Sequence, residues 1–204
     1  MPAPEEIIDS LESIVTIYLS DIRHRERATF ILCDTLIEMA CKTKAHQHNH
    51  RFNTTCNFHD ACNAPGVSLS QRGIGRRVID RRNTRNDMQH GNAAVTVDSQ
   101  LCADAILDAV KVINHCWKNT TINHFPVWLK CALRIILLYS SDGDPMQRQP
   151  FEDAMLAESW RGLGEKTVKF NERNIVPGRR AFWWLAVMEH TPLVENCLGT
   201  AGAP

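Results

Sequence analysis

Apolar side chains along this chain recur every three or four positions, and nowhere do they alternate with the period of two that a half-buried strand needs. The sharpest case runs from Asp98 to Trp117. Leu101, Ala105, Ala109, Val110, Ile113 and Trp117 make one helical stripe, and Asp98 or Ser99 stands where an N-cap belongs. A chain patterned this way can bury its apolar faces only by packing helix on helix, so the fold class expected is all-α.

The rest of the pattern supplies the other helices. One starts after Pro4, with Ile7, Leu11, Ile14, Val15 and Tyr18 on one face and Glu5 and Glu6 in a first turn whose dipole favours acids. A second is expected from about Asp21 to Ala45, with Ala28, Leu32, Thr35, Leu36 and Met39 as its buried stripe. Residues 46–68 are rich in Asn, Thr, His, Cys, Pro and Gly and read as a long loop. A third helix covers Ser70 to Met88, with Ile74, Val78 and Ile79 inward, and Gly91 suits its C-terminal cap. Another begins at Pro126 and reaches about Tyr139. Beyond a turn at Asp142-Gly143-Asp144-Pro145, residues 151–161 and 180–188 look helical again. In the latter, Phe182, Trp183 and Trp184 read as packing residues or, if exposed, as a partner surface. The organisation expected is a helical core over 1–120 and a helical C-terminal extension over 121–204 with no assigned role.

The 23 Lys and Arg balance the 23 Asp and Glu, so overall charge does not announce a nucleic-acid binder. The charge is uneven locally: Arg72, Arg76, Arg77, Arg81, Arg82 and Arg85 face a lone Asp80 within one short stretch. A solvated helix face and a phosphate-facing surface both fit such a run. Met1 to Glu6 is acidic and Pro-containing, unlike a signal peptide, and the most apolar segment, Val127 to Tyr139, is too short to span a bilayer and holds Lys130 and Arg134. The eight cysteines follow no disulfide-scaffold spacing; reduced thiols and a cytoplasmic location are expected.

The basic helix ends in Arg85-Asn86-Asp87-Met88-Gln89-His90-Gly91-Asn92, just ahead of the helix that opens at Asp98. An arginine followed after four intervening residues by a histidine, with Asn directly after the arginine, resembles the motif of the HEPN superfamily, Arg-x(4–6)-His. The resemblance covers roughly residues 5 to 120. It implies an up-and-down helical bundle and a metal-independent endoribonuclease of the defence or toxin type, needing no cofactor. The implied partners are RNA, a second copy of the chain completing a composite active site, and a regulatory or effector protein. Arg85, Asn86 and His90 would be catalytic and Arg77, Arg81 and Arg82 would hold the RNA backbone. Some members carry His-x-Tyr, whose tyrosine is modified by a partner enzyme; here that position is Asn92. A catalytically silent HEPN-like scaffold, or a module binding nucleic acid or nucleotide within a larger assembly, is the alternative, and an unrelated helical adaptor docking through its C-terminal aromatics is a third.

The chemistry agrees with the resemblance. Attack by a ribose 2′-OH needs a proton acceptor, a donor for the leaving 5′-oxygen and positive charge on the phosphorane. An imidazole titrates near neutrality, and a guanidinium offers a permanently charged planar fork. Five residues along a continuous helix turn two side chains about 140° apart, so Arg85 and His90 share one face only if the helix breaks near Gly91.

His46, His48, His50, Cys56, His59 and Cys62 crowd the long loop. Cys56, His59 and Cys62 with one upstream histidine would give four zinc ligands, but the spacing matches no zinc pattern and incidental histidines are the favoured reading. The histidines, with Phe52 or Phe58, could instead stack on RNA bases.

Overall fold

A computed structural model describes residues 2–20, 22–69, 73–90, 95–118, 125–143 and 146. Among them there are helices and no strand: α1 (Glu5–Leu19), α2 (Arg25–His48), α3 (Phe58–Asn63), α4 (Ile74–His90), α5 (Ser99–Cys116) and α6 (Val127–Tyr139). The helices expected at 151–161 and 180–188, the aromatics Phe182 to Trp184, Arg72, and Gly91 with Asn92 lie outside the described residues.

α2 and α5 form the centre. α1 packs on both, α4 lies against both from another side, and α6 packs on α5 and α1. The stripe expected of α1 is buried in full, and Tyr18 donates from its hydroxyl to the Ser99 carbonyl at 3.1 Å, tying α1 to the start of α5. Asp98 caps α5, accepting from the Leu101 N–H at 2.7 Å. Ala105, Ala109, Val110, Ile113 and Trp117 are buried as expected, whereas Leu101 is only partly so. The core does not stop at residue 120: Leu129, Ala132, Ile135 and Ile136 of α6 are wholly enclosed within it.

α2 departs from expectation in both length and phase. It starts later, at Arg25, runs three residues past Ala45 and buries Thr29, Phe30, Cys33, Asp34, Leu36, Ile37, Ala40, Cys41 and Ala45. Of the stripe expected, only Leu36 is among them; Leu32 and Thr35 are exposed. α2 touches α1, α5, α3 and α4. A helix covered on several sides need not concentrate its apolar residues on one face, and one-sided patterning then loses its phase information.

The expected long loop is mostly organised. His46 and His48 belong to α2, and α3 interrupts the remainder, with Asn57 accepting from the Asp60 N–H at 2.9 Å as its cap. Asn49 and Asn53 accept from the backbone two residues on, at Arg51 and Thr55, so the Asn-rich composition encodes turns rather than disorder. Gly66 has φ +86°, and a Cβ there would stand 2.7 Å from His48 Cβ, so both its conformation and its crowding demand glycine. No helix among the described residues is long and apolar enough to cross a membrane.

Candidate functional site

The basic run folds as α4, and its arginines divide between two neighbours because of their spacing. Arg77 and Arg81, one turn apart, stack on one flank; Arg82 lies about 100° further round. On the first flank they converge on Asp108 of α5. Arg77 Nε donates to Oδ1 at 3.1 Å, Arg81 Nε donates to Oδ2 at 2.8 Å, and Arg81 Nη2 lies 2.7 Å from Oδ2. On the other, Arg82 Nη1 is bonded to Asp34 Oδ2 of α2 and lies 3.1 Å from Glu38 Oε2, while its guanidinium rests on the Phe58 ring, 4.6 Å from the centroid. Asp34 and Asp108 are both buried. A buried carboxylate requires paired cations, and the arginine run supplies them. Arg77, Arg81 and Arg82, expected on an RNA backbone, are thus each engaged with a carboxylate of their own chain; of the three, Arg77 keeps a half-exposed side chain, at 47%, against 13% for Arg81 and 22% for Arg82.

Arg85 is held more loosely. Its Nε lies 3.6 Å from Asp34 Oδ2, beyond hydrogen-bond reach, and is buried with no hydrogen-bond acceptor among the described residues. Nη1 donates to Asn86 Oδ1 at 3.1 Å, so Asn86 steadies the guanidinium. His90 ends α4 and is exposed, with no intramolecular bond among the described residues. Arg27 of α2 donates to the Met88 carbonyl at 2.7 Å, capping this terminus with a cation where the helix dipole is negative. α4 runs unbroken through His90. Arg85 therefore turns toward α2 and His90 leaves the helix about 140° away; within one chain they do not share a face.

What Arg85 does share is a groove of about 610 Å³ between α2 and α4. Thr35, Glu38, Met39, Lys42, Thr43 and His46 form its α2 wall, Arg82 and Arg85 its α4 wall, and Thr54 closes one side. Glu38 sits between cations, 2.7 Å from Lys42 Nζ and 3.1 Å from Arg82. Burial alone would raise its pKa, but Lys42 and Arg82 together hold it below the ordinary value. For Asp34 the balance reverses: burial pushes its pKa up despite Arg82 and Arg85. At the far end of the wall the His46 ring meets the His50 ring edge-on, with centroids 5.4 Å apart.

The sequence reading missed Asp34, Glu38, Lys42 and Asp108. A signal existed: Asp34 and Asp108 each interrupt an apolar helical stretch, and an acid there implies a buried partner cation. Cys56, His59 and Cys62 do not gather. Cys62 is buried and lies near the buried thiols of Cys41 and Cys116, and the His59 ring lies by Asn63. Among the described residues no three His, Cys, Asp or Glu side chains are grouped to hold a metal ion. Phe58, a candidate for base stacking, is buried under Arg82, and Phe52 packs against the core.

No protein-family model, curated protein or solved structure matches this chain.

Proposed function

We propose that this chain is a HEPN-like, metal-independent endoribonuclease that cleaves RNA by attack of the 2′-OH on the adjacent phosphate. The observation that carries the reading is the state of Arg85. Unlike Arg81 and Arg82, it has no close carboxylate bond among the described residues, is steadied by Asn86 and faces an open groove. A guanidinium in that state can bind a phosphate oxygen without first breaking a strong internal pair. His90, exposed and without an intramolecular bond among the described residues, can take the 2′-OH proton or give one to the departing 5′-oxygen. The P–O bond to the 2′-oxygen forms as the bond to the 5′-oxygen breaks, leaving a 2′,3′-cyclic phosphate and a 5′-OH. Because Arg85 and His90 diverge on one unbroken helix, the site that uses both pairs Arg85 of one copy with His90 of another.

The test is cleavage of a generic RNA in EDTA. His90→Ala should lower the rate about 100-fold or more, and Arg85→Lys should also fail because it keeps charge but loses the fork. Mixing Arg85→Ala with His90→Ala should restore activity that neither shows alone. Strict dependence on magnesium, or full cleavage of RNA carrying deoxyribose at the scissile nucleotide, would overturn the reading. The unbroken course of α4 favours a second reading, a catalytically silent HEPN-like module that binds nucleic acid or nucleotide within a larger assembly. Binding of RNA without cleavage, unchanged in His90→Ala, would select it.

A further inference from the structure

We infer that the α2–α4 groove is a track for single-stranded RNA, with Lys42 and His46 as substrate-binding residues that act beyond the Arg85 end. The inference rests on the nuclease reading only for the identity of the strand. Three observations carry it. The first is length: Thr35 and His46 are eleven positions apart on α2, so its wall extends about 16 Å, too long for one phosphate and suited to a short run of nucleotides. The second is charge. Arg82, Arg85 and Lys42 face Glu38 and the deeper Asp34, leaving an excess of one positive charge along the groove before His46 is counted. The arginines expected to bind backbone on the other flank of α4 are bonded to Asp108, whereas Arg82, Arg85 and Lys42 all line this groove. The third is the His46–His50 ring pair at the end of the wall, both exposed. Aromatic rings beside backbone-binding cations are what an unpaired base stacks on. An acidic peptide would use the cations and leave the rings idle, and a duplex has no splayed base to offer them.

Glu38 makes the proposal specific in sign. It occupies Lys42 and Arg82 in the absence of ligand, so an entering phosphate must compete with it. Removing its charge should therefore tighten binding, whereas removing Lys42 and His46 should weaken it. A residue whose role is only structural cannot produce the first result.

The experiment measures binding of the full chain to a fluorescein-labelled 2′-O-methyl oligouridine, which cannot be cut by 2′-OH attack, by fluorescence anisotropy at fixed pH and salt. Lys42→Gln/His46→Ala should weaken binding about tenfold, the scale of one or two lost phosphate or stacking contacts. Glu38→Gln should tighten it severalfold. Lys111→Gln, on α5 outside the groove lining and paired with Asp142, should change nothing. Thermal melts establish that each variant folds. Unchanged affinity in the double variant, weaker or unchanged affinity in Glu38→Gln, no binding by the unaltered chain, or displacement of the oligonucleotide by polyglutamate as readily as by RNA would each overturn the inference. The two readings fail separately. Binding that follows this pattern without any cleavage refutes the nuclease and leaves the track. Cleavage whose KM ignores Lys42 and His46 refutes the track and leaves the nuclease.

Discussion

α4 carries two arginine–carboxylate clamps built from the same residue types, and they differ in almost everything else. At Asp108 both carboxylate oxygens are engaged, and Arg81 approaches one of them through two nitrogens, also donates to the Leu101 carbonyl at 3.4 Å and is nearly closed to solvent, while Arg77 stays half-exposed. At Asp34 a single oxygen serves both Arg82 and Arg85, the second at 3.6 Å, and burial wins over the arginines in setting its pKa. A groove opens beside Asp34. The first clamp is arranged to hold α4 on α5. The second leaves a cation under-used at an accessible surface, as the proposed binding site requires.

The largest expected effect comes from breaking the closed clamp. Asp108→Ala strands Arg81 in a nearly buried position, and removing one partner of a buried pair costs about 3 kcal/mol or more. Urea denaturation should show this as a clear fall in midpoint. Asp34→Ala should cost less, about 1–2 kcal/mol, because Arg82 keeps Glu38 and the face of Phe58. Equal losses at the two positions would mean that the two clamps hold α4 equally.

Much of this architecture could be read from residues alone, and the reasons differ by element. α1 and α5 declared themselves through one-sided stripes and, for α5, the Asp98 cap. α2 could not be phased, since neighbours cover it on several sides and its inward positions include Thr29 and Asp34. α3 is too short for periodicity to register. Arg85, Asn86 and His90 stand out in the sequence through the resemblance of their spacing to a family motif. Their relation in space was not, because it depends on whether the helix breaks, and α4 continues through His90. The pairing of arginines with Asp34 and Asp108 was hidden for a different reason: it joins residues 27 to 51 positions apart, and only the packing of α4 against α2 and α5 brings them together.

The two carboxylates beside the groove sharpen the comparison through pH. Glu38 has a folded pKa below its unfolded one, so it stabilises the fold above the unfolded value and that contribution disappears as pH falls through the folded value. Asp34 is shifted the other way: its contribution is present at low pH and is lost as pH rises through the raised value. In the unaltered chain the two trends oppose each other between about pH 3 and 6. Glu38→Gln should remove the acid-sensitive member, so denaturation midpoints across that range should fall less on acidification than in the unaltered chain. Asp34→Asn should steepen the fall. If both variants titrate like the unaltered chain, the groove carboxylates are not coupled to its cations as described.

The smallest effect tests the open end of α4. Arg27 contacts the helix through the Met88 carbonyl, within the last turn, where a cation's interaction with the helix dipole is worth about 0.5–1 kcal/mol. Arg27→Ala should therefore lower global stability only slightly, since neither clamp depends on it. Yet this bond holds the turn that carries His90, so its loss should loosen the imidazole far more than the fold. Hydrogen exchange should quicken at residues 88–90 and stay slow around Asp108. Cleavage should drop by more than the stability change accounts for, with kcat affected before KM, because strand binding along Lys42 and His46 lies at the other end of the groove. A rise in KM together with the fall in kcat, with exchange unchanged at 88–90, would mean that Arg27 acts on the groove itself and that the α4 terminus is as firmly held as its Asp108 flank.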